Sequence, residues 1–152
     1  MSEIPLTYEC DVIVAGGSLR AVKAAVVAAR AGCSVLLAAT RPYLGDDMCA
    51  TLRLWLEADE EPADELTQRI FADGTLARPL HVKKVLDEVA VGAGVRCFLG
   101  GYVTEVLRDE NDRLAGVVLA DRGGRQAVAA SQVIDATDRA VVASACGVRH
   151  HE

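Results

Sequence analysis

The segment Asp11–Leu44 constrains the fold of this chain more than any other, because it carries the pattern of a strand–helix–strand unit. It begins with the apolar run Val12–Ala15, which suits a strand buried on both faces of a parallel sheet. After the glycine pair Gly16–Gly17, alanines at helical spacing predict a helix that packs through small residues. The second apolar run, Val35–Leu37, completes the unit, whose right-handed crossover makes the two strands parallel neighbours.

The turn between the first strand and the helix matches part of the G-x-G-x-x-G pattern of dinucleotide-binding folds. The three motif positions are Gly16, Ser18 and Ala21, so that only the first is glycine. In this pattern the turn lets a pyrophosphate approach the backbone, and the free amides at the start of the helix hold its oxygens. Because Ser18 is small and able to donate to a phosphate, the turn predicts nucleotide binding. The alternative is a strand–helix–strand unit that binds nothing.

The same pattern places an acid at the end of the second strand, where it accepts hydrogen bonds from the adenosine ribose. Counting along the strand puts this position at Ala39, and no acid occurs between Asp11 and Asp46. We therefore expect the phosphate site to persist and the affinity for the nucleotide to fall, very roughly ten- to a hundredfold.

The composition excludes several classes of protein. The chain has 152 residues, 51% of them hydrophobic, which is enough for one domain with a core. The net charge is −6 and no basic patch occurs, which argues against a nucleic-acid partner. The longest apolar runs are too short to span a bilayer, and residues 1–9 lack the basic segment of a signal peptide. We therefore expect a cytoplasmic protein without a membrane partner.

The cysteines and histidines carry no metal-binding or redox pattern. Five cysteines occur without a C-x-x-C pair, so neither a zinc site nor a redox pair is indicated. Cys49 follows the second strand in a polar stretch, and a structural thiol is the simplest interpretation, with a functional thiol as the alternative. His81 has no second histidine or cysteine nearby, so we expect no metal site.

The remaining chain continues the alternation of helices and strands. Pro79 marks the start of an amphipathic helix, and Arg139–Cys146 predicts a last one. A parallel sheet is predicted from Val12–Ala15, Val35–Ala38, Val95–Leu99 and Gln132–Asp135. A three-stranded antiparallel meander is predicted from Tyr102–Leu107, Leu114–Ala120 and Arg125–Val133, packed beside the sheet and followed by a separate strand in Val133–Asp138.

Three motifs in this order resemble the FAD-binding domain of the glutathione-reductase-like flavoproteins. They are the strand and turn Asp11–Ala21, the L-G-D loop Leu44–Asp46, and the D-A-T motif within Ile134–Asp138. Among these flavoproteins the chain looks most like the bacterial FAD-dependent oxidoreductases that begin DVVVVGGGPAG and carry an L-G-G loop. The resemblance covers nearly the whole chain. It implies an α/β, Rossmann-like FAD/NAD(P)-binding fold, with FAD as the cofactor.

The resemblance also implies where FAD is held. The glycine turn faces the pyrophosphate, the loop after the second strand borders the adenosine and the route to the flavin, the start of the meander meets the adenine, and the D-A-T motif lies beside the pyrophosphate. In that order the residues are Gly16, Gly17, Ser18, Leu19 and Arg20; Arg41, Leu44, Gly45, Asp47 and Met48; Val103; and Ala136, Thr137 and Asp138.

The chain departs from the family pattern at several positions. Besides Ser18 and Ala39, Asp46 replaces the second glycine of L-G-G, and Asp138 replaces the glycine after D-A-T. An anion at Asp138 would repel a pyrophosphate unless it points away. Flavoproteins of this type continue past D-A-T into a substrate domain. We therefore expect residues 1–152 to be a single FAD-binding domain lacking that domain, with missing segments, a partner chain or a homo-oligomer completing the site.

Three functions compete at this level. The first is the FAD half of an oxidoreductase that transfers a hydride or two electrons on an unknown small-molecule substrate, with its catalytic residues unknown. The second is a short-chain nicotinamide enzyme, which needs a Tyr-x-x-x-Lys pair. None of Tyr8, Tyr43 and Tyr102 is followed by such a lysine, so this function is disfavoured. The third is a degenerate, non-catalytic domain that has lost tight binding.

Overall fold

The computed structural model describes residues 4–148, in which strands and helices alternate much as the sequence predicts. In chain order the elements are β1 (Leu6–Ala15), α1 (Leu19–Arg30), β2 (Val35–Ala39), α2 (Asp46–Cys49), α3 (Glu65–Ile70), α4 (Pro79–Gly92), β3 (Arg96–Leu99), β4 (Tyr102–Arg108), β5 (Leu114–Asp121), β6 (Gly124–Asp135) and α5 (Val141–Ala145).

The strands form one six-stranded sheet in the order β3-β2-β1-β6-β5-β4. The strands β3, β2, β1 and β6 are parallel, and β1 pairs with both of its neighbours, for example through Val12 with Val35 and Ala15 with Asp135. The predicted α/β fold and its parallel strands are thereby confirmed. From β1 the chain first builds outward to β2 and β3, and it later returns to the other side of β1 as β6. This reversal is the point of an open α/β sheet where ligands bind.

Two details of the predicted fold are wrong. The meander is not packed beside the parallel sheet but belongs to it, because its third strand and the predicted separate strand are one continuous β6. This strand pairs antiparallel with β5 and parallel with β1. No glycine, proline or asparagine interrupts the segment between Gly124 and Asp135, so nothing ends the strand early. The last helix is also shorter than Arg139–Cys146, because Ala140 adopts a left-handed conformation with φ of 49°.

The two faces of the sheet carry alternate residues of β1. Val12 and Val14 pack with α1 and α4 on one face, where Ala21 and Ala25 give α1 the small-residue contact surface that the sequence predicts. Ile13 faces the other side, in a cluster formed mainly by strand residues. Period-two alternation in β1 thus separates the two halves of the core.

The opposite edges of the sheet are close together. The edge strands β3 and β4 are separated along the chain only by Gly100 and Gly101, so the sheet must curl. The amides of both glycines donate to the carbonyl of Ala39, at 2.9 and 3.2 Å. This curl brings the start of β4 to the carboxyl end of β2. Among the described helices, none is long and apolar enough to cross a membrane.

Candidate functional site

A cavity of about 350 Å³ lies at the carboxyl ends of the central parallel strands, where the strand order reverses. The glycine turn forms one wall, and the residues after β6 form the opposite wall. The end of β2, the start of α2 and the start of β4 close its sides. The lining residues are Gly16, Gly17, Ser18, Thr40, Asp46, Tyr102, Ala136, Thr137, Asp138, Arg139 and Val141.

The glycine turn is closely packed on both sides, against the backbone of Ala136 and against the side chains of Ala39 and Asp46. Gly16 has φ of +131°, and a Cβ atom there would lie 2.4 Å from the carbonyl oxygen of Ala136. A Cβ on Gly17 would lie 2.9 Å from the Cβ of Ala39. The amide of Gly16 donates to the carbonyl of Ala38 at 2.8 Å, and that of Ala136 donates to Ala15 at 2.8 Å. The wall of the cavity is therefore bare backbone held in a fixed position.

Two side chains occupy the amino terminus of α1. The hydroxyl of Ser18 accepts a hydrogen bond from the amide of Ala21 at 3.2 Å and so caps the helix. The carboxylate of Asp47 accepts one from the amide of Leu19 at 2.9 Å. As a hydroxyl, Ser18 also has a proton that it can donate. The amide of Leu19, in contrast, is already paired with an anion of the chain itself.

The neighbouring Asp46 lies over the glycine turn. Its Oδ1 accepts from the amide of Asp47 at 2.9 Å, and its Oδ2 lies 3.3 Å from the point where a Cβ on Gly17 would stand. Partial burial raises the pKa of Asp46, and repulsion from Asp47 and Asp138 raises it further, against the lowering effect of its backbone hydrogen bonds. The turn therefore faces a group of mutually repelling carboxylates.

Asp135, the aspartate of the D-A-T motif, holds the opposite wall together through its hydrogen bonds. Its Oδ1 accepts from the amide of Thr137 at 3.0 Å and from the Thr137 hydroxyl at 2.6 Å, and its Oδ2 accepts from the amide of Ala143 at 2.8 Å. Partial burial raises the pKa of Asp135, but these hydrogen bonds outweigh it and leave the pKa below its usual range. Asp135 thus ties the segment after β6 to α5.

A second, shallower cavity of about 770 Å³ continues from the first. The two share Thr40 and Tyr102, and the second extends along the ends of β2 and β3 to the turn after β5. Together they make a groove that runs from the glycine turn across the curled edge of the sheet.

The structure gathers some of the predicted site residues and places others elsewhere. Six of the predicted residues line the first cavity, namely Gly16, Gly17, Ser18, Ala136, Thr137 and Asp138. Leu19 and Asp47 meet each other at the helix terminus. The others line neither cavity: Leu44 and Met48 are buried in the core, Gly45 packs beside Leu86, Val103 packs in the second cluster, and Arg20 and Arg41 are exposed.

Five further lining residues were not named as site residues, namely Thr40, Asp46, Tyr102, Arg139 and Val141. Thr40 directly follows the strand position that the dinucleotide pattern reserves for an acid, so this pattern already indicates a ligand contact at the end of β2. Asp46 lies within the loop Leu44–Met48, which the resemblance places beside the adenosine, but the sequence singles it out only as a possible helix cap and a departure from L-G-G. Tyr102 reaches the cavity through the curl of the sheet, which no local pattern indicates. Within the described chain no group of three or more metal-ligating side chains occurs.

Comparison with protein families finds a match over residues 11–152 to the family described as FAD dependent oxidoreductase. A comparison with curated proteins finds no match. The matched family segment includes both walls of the cavity.

Several solved structures are similar in fold. The crystal structure of Thermovibrio ammonificans THI4 has a TM-score of 0.65 at 22% identity, with 93% of this chain and 64% of that chain covered. L-proline dehydrogenase from P. horikoshii has a TM-score of 0.60 at 13% identity, covering 97% and 58%. A triple mutant of the flavin-dependent brominase Bmp2 has a TM-score of 0.65 at 18% identity, covering 91% and 41%. The chain therefore spans less than two thirds of the length of each.

Proposed function

Because the chain belongs to the FAD dependent oxidoreductase family, we propose that the cavity where the strand order reverses holds the diphosphate of FAD. FAD is the cofactor of this family, and the observation that carries the proposal is the contact of Gly16 with Ala136. Where Gly16 meets Ala136 the cavity is lined by backbone and small side chains, so an extended group is able to pass close to the sheet there.

The residues present fit FAD at the turn and along the groove. A Cβ on Gly16 or Gly17 would fill space that the turn needs, and the small residues Ala136 and Thr137 line the other side. The amino terminus of α1 points its amides toward an anion. Two features work against the fit: the carboxylates of Asp46 and Asp138 line the same cavity, and Asp47 already occupies the amide of Leu19. We infer that the phosphate shares or displaces this contact.

Each part of FAD then has its own residues. The turn Gly16–Ser18, with Ala136 and Thr137 opposite, would hold the diphosphate, and the second cavity, with Thr40 and Tyr102 at its entrance, would hold the adenine. Bound FAD supplies hydride or two-electron chemistry. The role of this chain is to bind and orient the cofactor and to exclude water from the diphosphate.

The substrate side of the reaction is also part of the proposal. We propose that the chain is the FAD-binding part of a flavin-dependent oxidoreductase acting on a small molecule. Further segments, a second copy or a partner chain would contribute the substrate site. We place the family within the glutathione-reductase-like flavoproteins on the three sequence motifs. A cytoplasmic location is supported by the five cysteines, all free thiols.

The competing function is a domain that keeps the fold but binds no dinucleotide. Two features favour it. Ala39 offers no side-chain acceptor to the ribose, and the amide of Leu19, which could donate to a phosphate, already donates to Asp47. Thermal unfolding with added ligands separates the two functions. We expect saturating FAD or ADP to raise the Tm by about 5 °C or more, as ligands that bind only the folded state do. FMN lacks the adenosine diphosphate and serves as the control, with a smaller shift. Equal Tm values with FAD, ADP and buffer would support the degenerate domain.

A further inference from the structure

The family pattern has glycine where this chain has Asp46, and the position of Asp46 in the structure suggests that it contacts the ligand. Ala39 has no polar side chain and is fully buried, with its Cβ 2.9 Å from the point where a Cβ on Gly17 would stand. The Oδ2 atom of Asp46 lies 3.3 Å from the same point. Asp46 therefore places a carboxylate beside the position where the dinucleotide pattern normally has one.

The backbone holds this carboxylate in place. Gly45 adopts a left-handed conformation with φ of +81°, and its amide donates to the carbonyl of Gly17 at 2.7 Å. The next residue, Asp46, begins α2 and lines the cavity. The loop is thus hydrogen-bonded directly to the glycine turn. Because Oδ1 accepts from the amide of Asp47, Oδ2 is the oxygen nearer to the turn.

We propose that Asp46 replaces the missing motif acid at position 39 and accepts hydrogen bonds from the ribose hydroxyls of the adenosine in FAD. The inference rests on the proposed function and adds a specificity-determining residue to it. Ribose hydroxyls are neutral donors, so a carboxylate binds them, whereas it repels a phosphate. Asp46 is half-buried and is repelled by Asp47 and Asp138. Neutral hydrogen-bond donors therefore stabilise its carboxylate, whereas a further anion would destabilise it.

The alternative is that Asp46 acts only as a negative charge that weakens the binding of the diphosphate. The two possibilities predict opposite effects. If Asp46 binds the ribose, its removal lowers affinity for ligands that carry both hydroxyls. If it only repels, its removal raises affinity for every diphosphate. Asp138 is a matched control because it is a second carboxylate that lines the same cavity, on the wall beyond β6.

The test compares ADP with 2′,3′-dideoxy-ADP by titration calorimetry on the unmodified protein and its variants. We expect the unmodified protein to bind ADP about ten- to a hundredfold more tightly than the dideoxy compound. We expect Asp46→Ala to bring the two affinities to within about twofold of each other, a loss of most of that factor. In Asp138→Asn we expect the ratio of the ADP affinity to the dideoxy-ADP affinity to stay as in the unmodified protein, while the affinities for both compounds rise.

Several results would overturn the proposal. An unmodified protein that binds both compounds equally, or an Asp46→Ala variant that keeps the preference, would mean that Asp46 does not contact the ribose. Parallel tightening of both compounds in Asp46→Ala and Asp138→Asn would assign Asp46 to repulsion alone. If Asp46→Ala does not fold, Asp46→Asn keeps the side-chain shape and is expected to show an intermediate ratio. Failure of a folded protein to bind either compound would contradict the proposed function itself.

Discussion

The carboxylate of Asp47 accepts a hydrogen bond from the backbone amide of Leu19 at 2.9 Å, across an interval of 28 residues. The first-turn amides of a helix are the groups that bind phosphate in dinucleotide folds. One of these amides is therefore satisfied by an anion of the chain itself. This arrangement stabilises the ligand-free protein and competes with the ligand.

We predict that Asp47→Ala changes stability and affinity in opposite directions. Loss of the contact should lower the free energy of unfolding of the ligand-free protein by about 1 kcal/mol, as loss of a helix cap does. It should raise the affinity for ADP by about three- to tenfold, because a donor is released and a negative charge is removed. Chemical denaturation and titration calorimetry measure the two effects. Asp47→Asn keeps an acceptor oxygen and is expected to lose less stability. A fall in both quantities would show that Asp47 holds the loop in its binding-competent position.

We predict that Gly16 is required for folding before any ligand binds. In Gly16→Ala the new methyl would stand 2.4 Å from the carbonyl oxygen of Ala136 at a backbone angle of +131°. We expect this variant to lose about 3 kcal/mol of stability or more, and Gly16→Val to lose still more. Gly32→Ala is the matched control, since its φ is also positive, at +93°, with no atom within 4 Å. The control should lose only about 1 kcal/mol. Similar denaturation midpoints for the two alanine variants would contradict the packing described for the turn.

A third prediction concerns the motif acid. From the sequence alone, Ala39→Glu is expected to tighten FAD binding, because it restores the ribose partner. With Asp46 beside this position, we now expect the single variant to give no gain, since two carboxylates would share one partly buried site.

The double variant Ala39→Glu/Asp46→Gly restores the family residues at these two positions and should bind ADP at least as tightly as the unmodified protein. Titration calorimetry on the four proteins of this cycle gives the coupling between the two positions. A tenfold gain in Ala39→Glu with Asp46 intact, on a protein that unfolds normally, would show that the two carboxylates do not compete.

The fourth prediction uses the lowered pKa of Asp135. Its ordinary value is 3.8, and its hydrogen bonds hold the pKa in the folded protein below that. The ionised carboxylate therefore contributes stability above about pH 4, and the contribution is lost as the pH falls through the lowered pKa. We expect Asp135→Asn to be less stable by about 1–3 kcal/mol at neutral pH. Urea unfolding at a series of pH values should show this difference shrinking below pH 4. A constant difference down to pH 2 would mean that the charge of Asp135 is not what stabilises the segment.

Local patterns predicted the parallel core and the glycine turn, because both depend on residues close together in sequence. The run Val12–Ala15 and the helix after Ser18 contain all the information needed for their own conformation. The contacts of Asp46 and Asp47 with the turn were not predictable, since they depend on the path of a loop that begins beyond β2. The continuity of β6 was missed for a related reason. No local pattern shows that one strand pairs antiparallel with β5 on one side and parallel with β1 on the other, because β1 is distant from it in sequence.

The strand β6 also determines when this chain is able to finish folding during its synthesis. Among the six strands described here it is the last to be synthesised, yet it lies between β1 and β5 in the interior of the sheet. Until Gly124–Asp135 has emerged, both neighbours present unpaired backbone edges and the two halves of the sheet are not joined. Such edges are templates for pairing with other chains. A nascent chain that is stalled or cut before this strand would therefore be exposed to aggregation and dependent on chaperones.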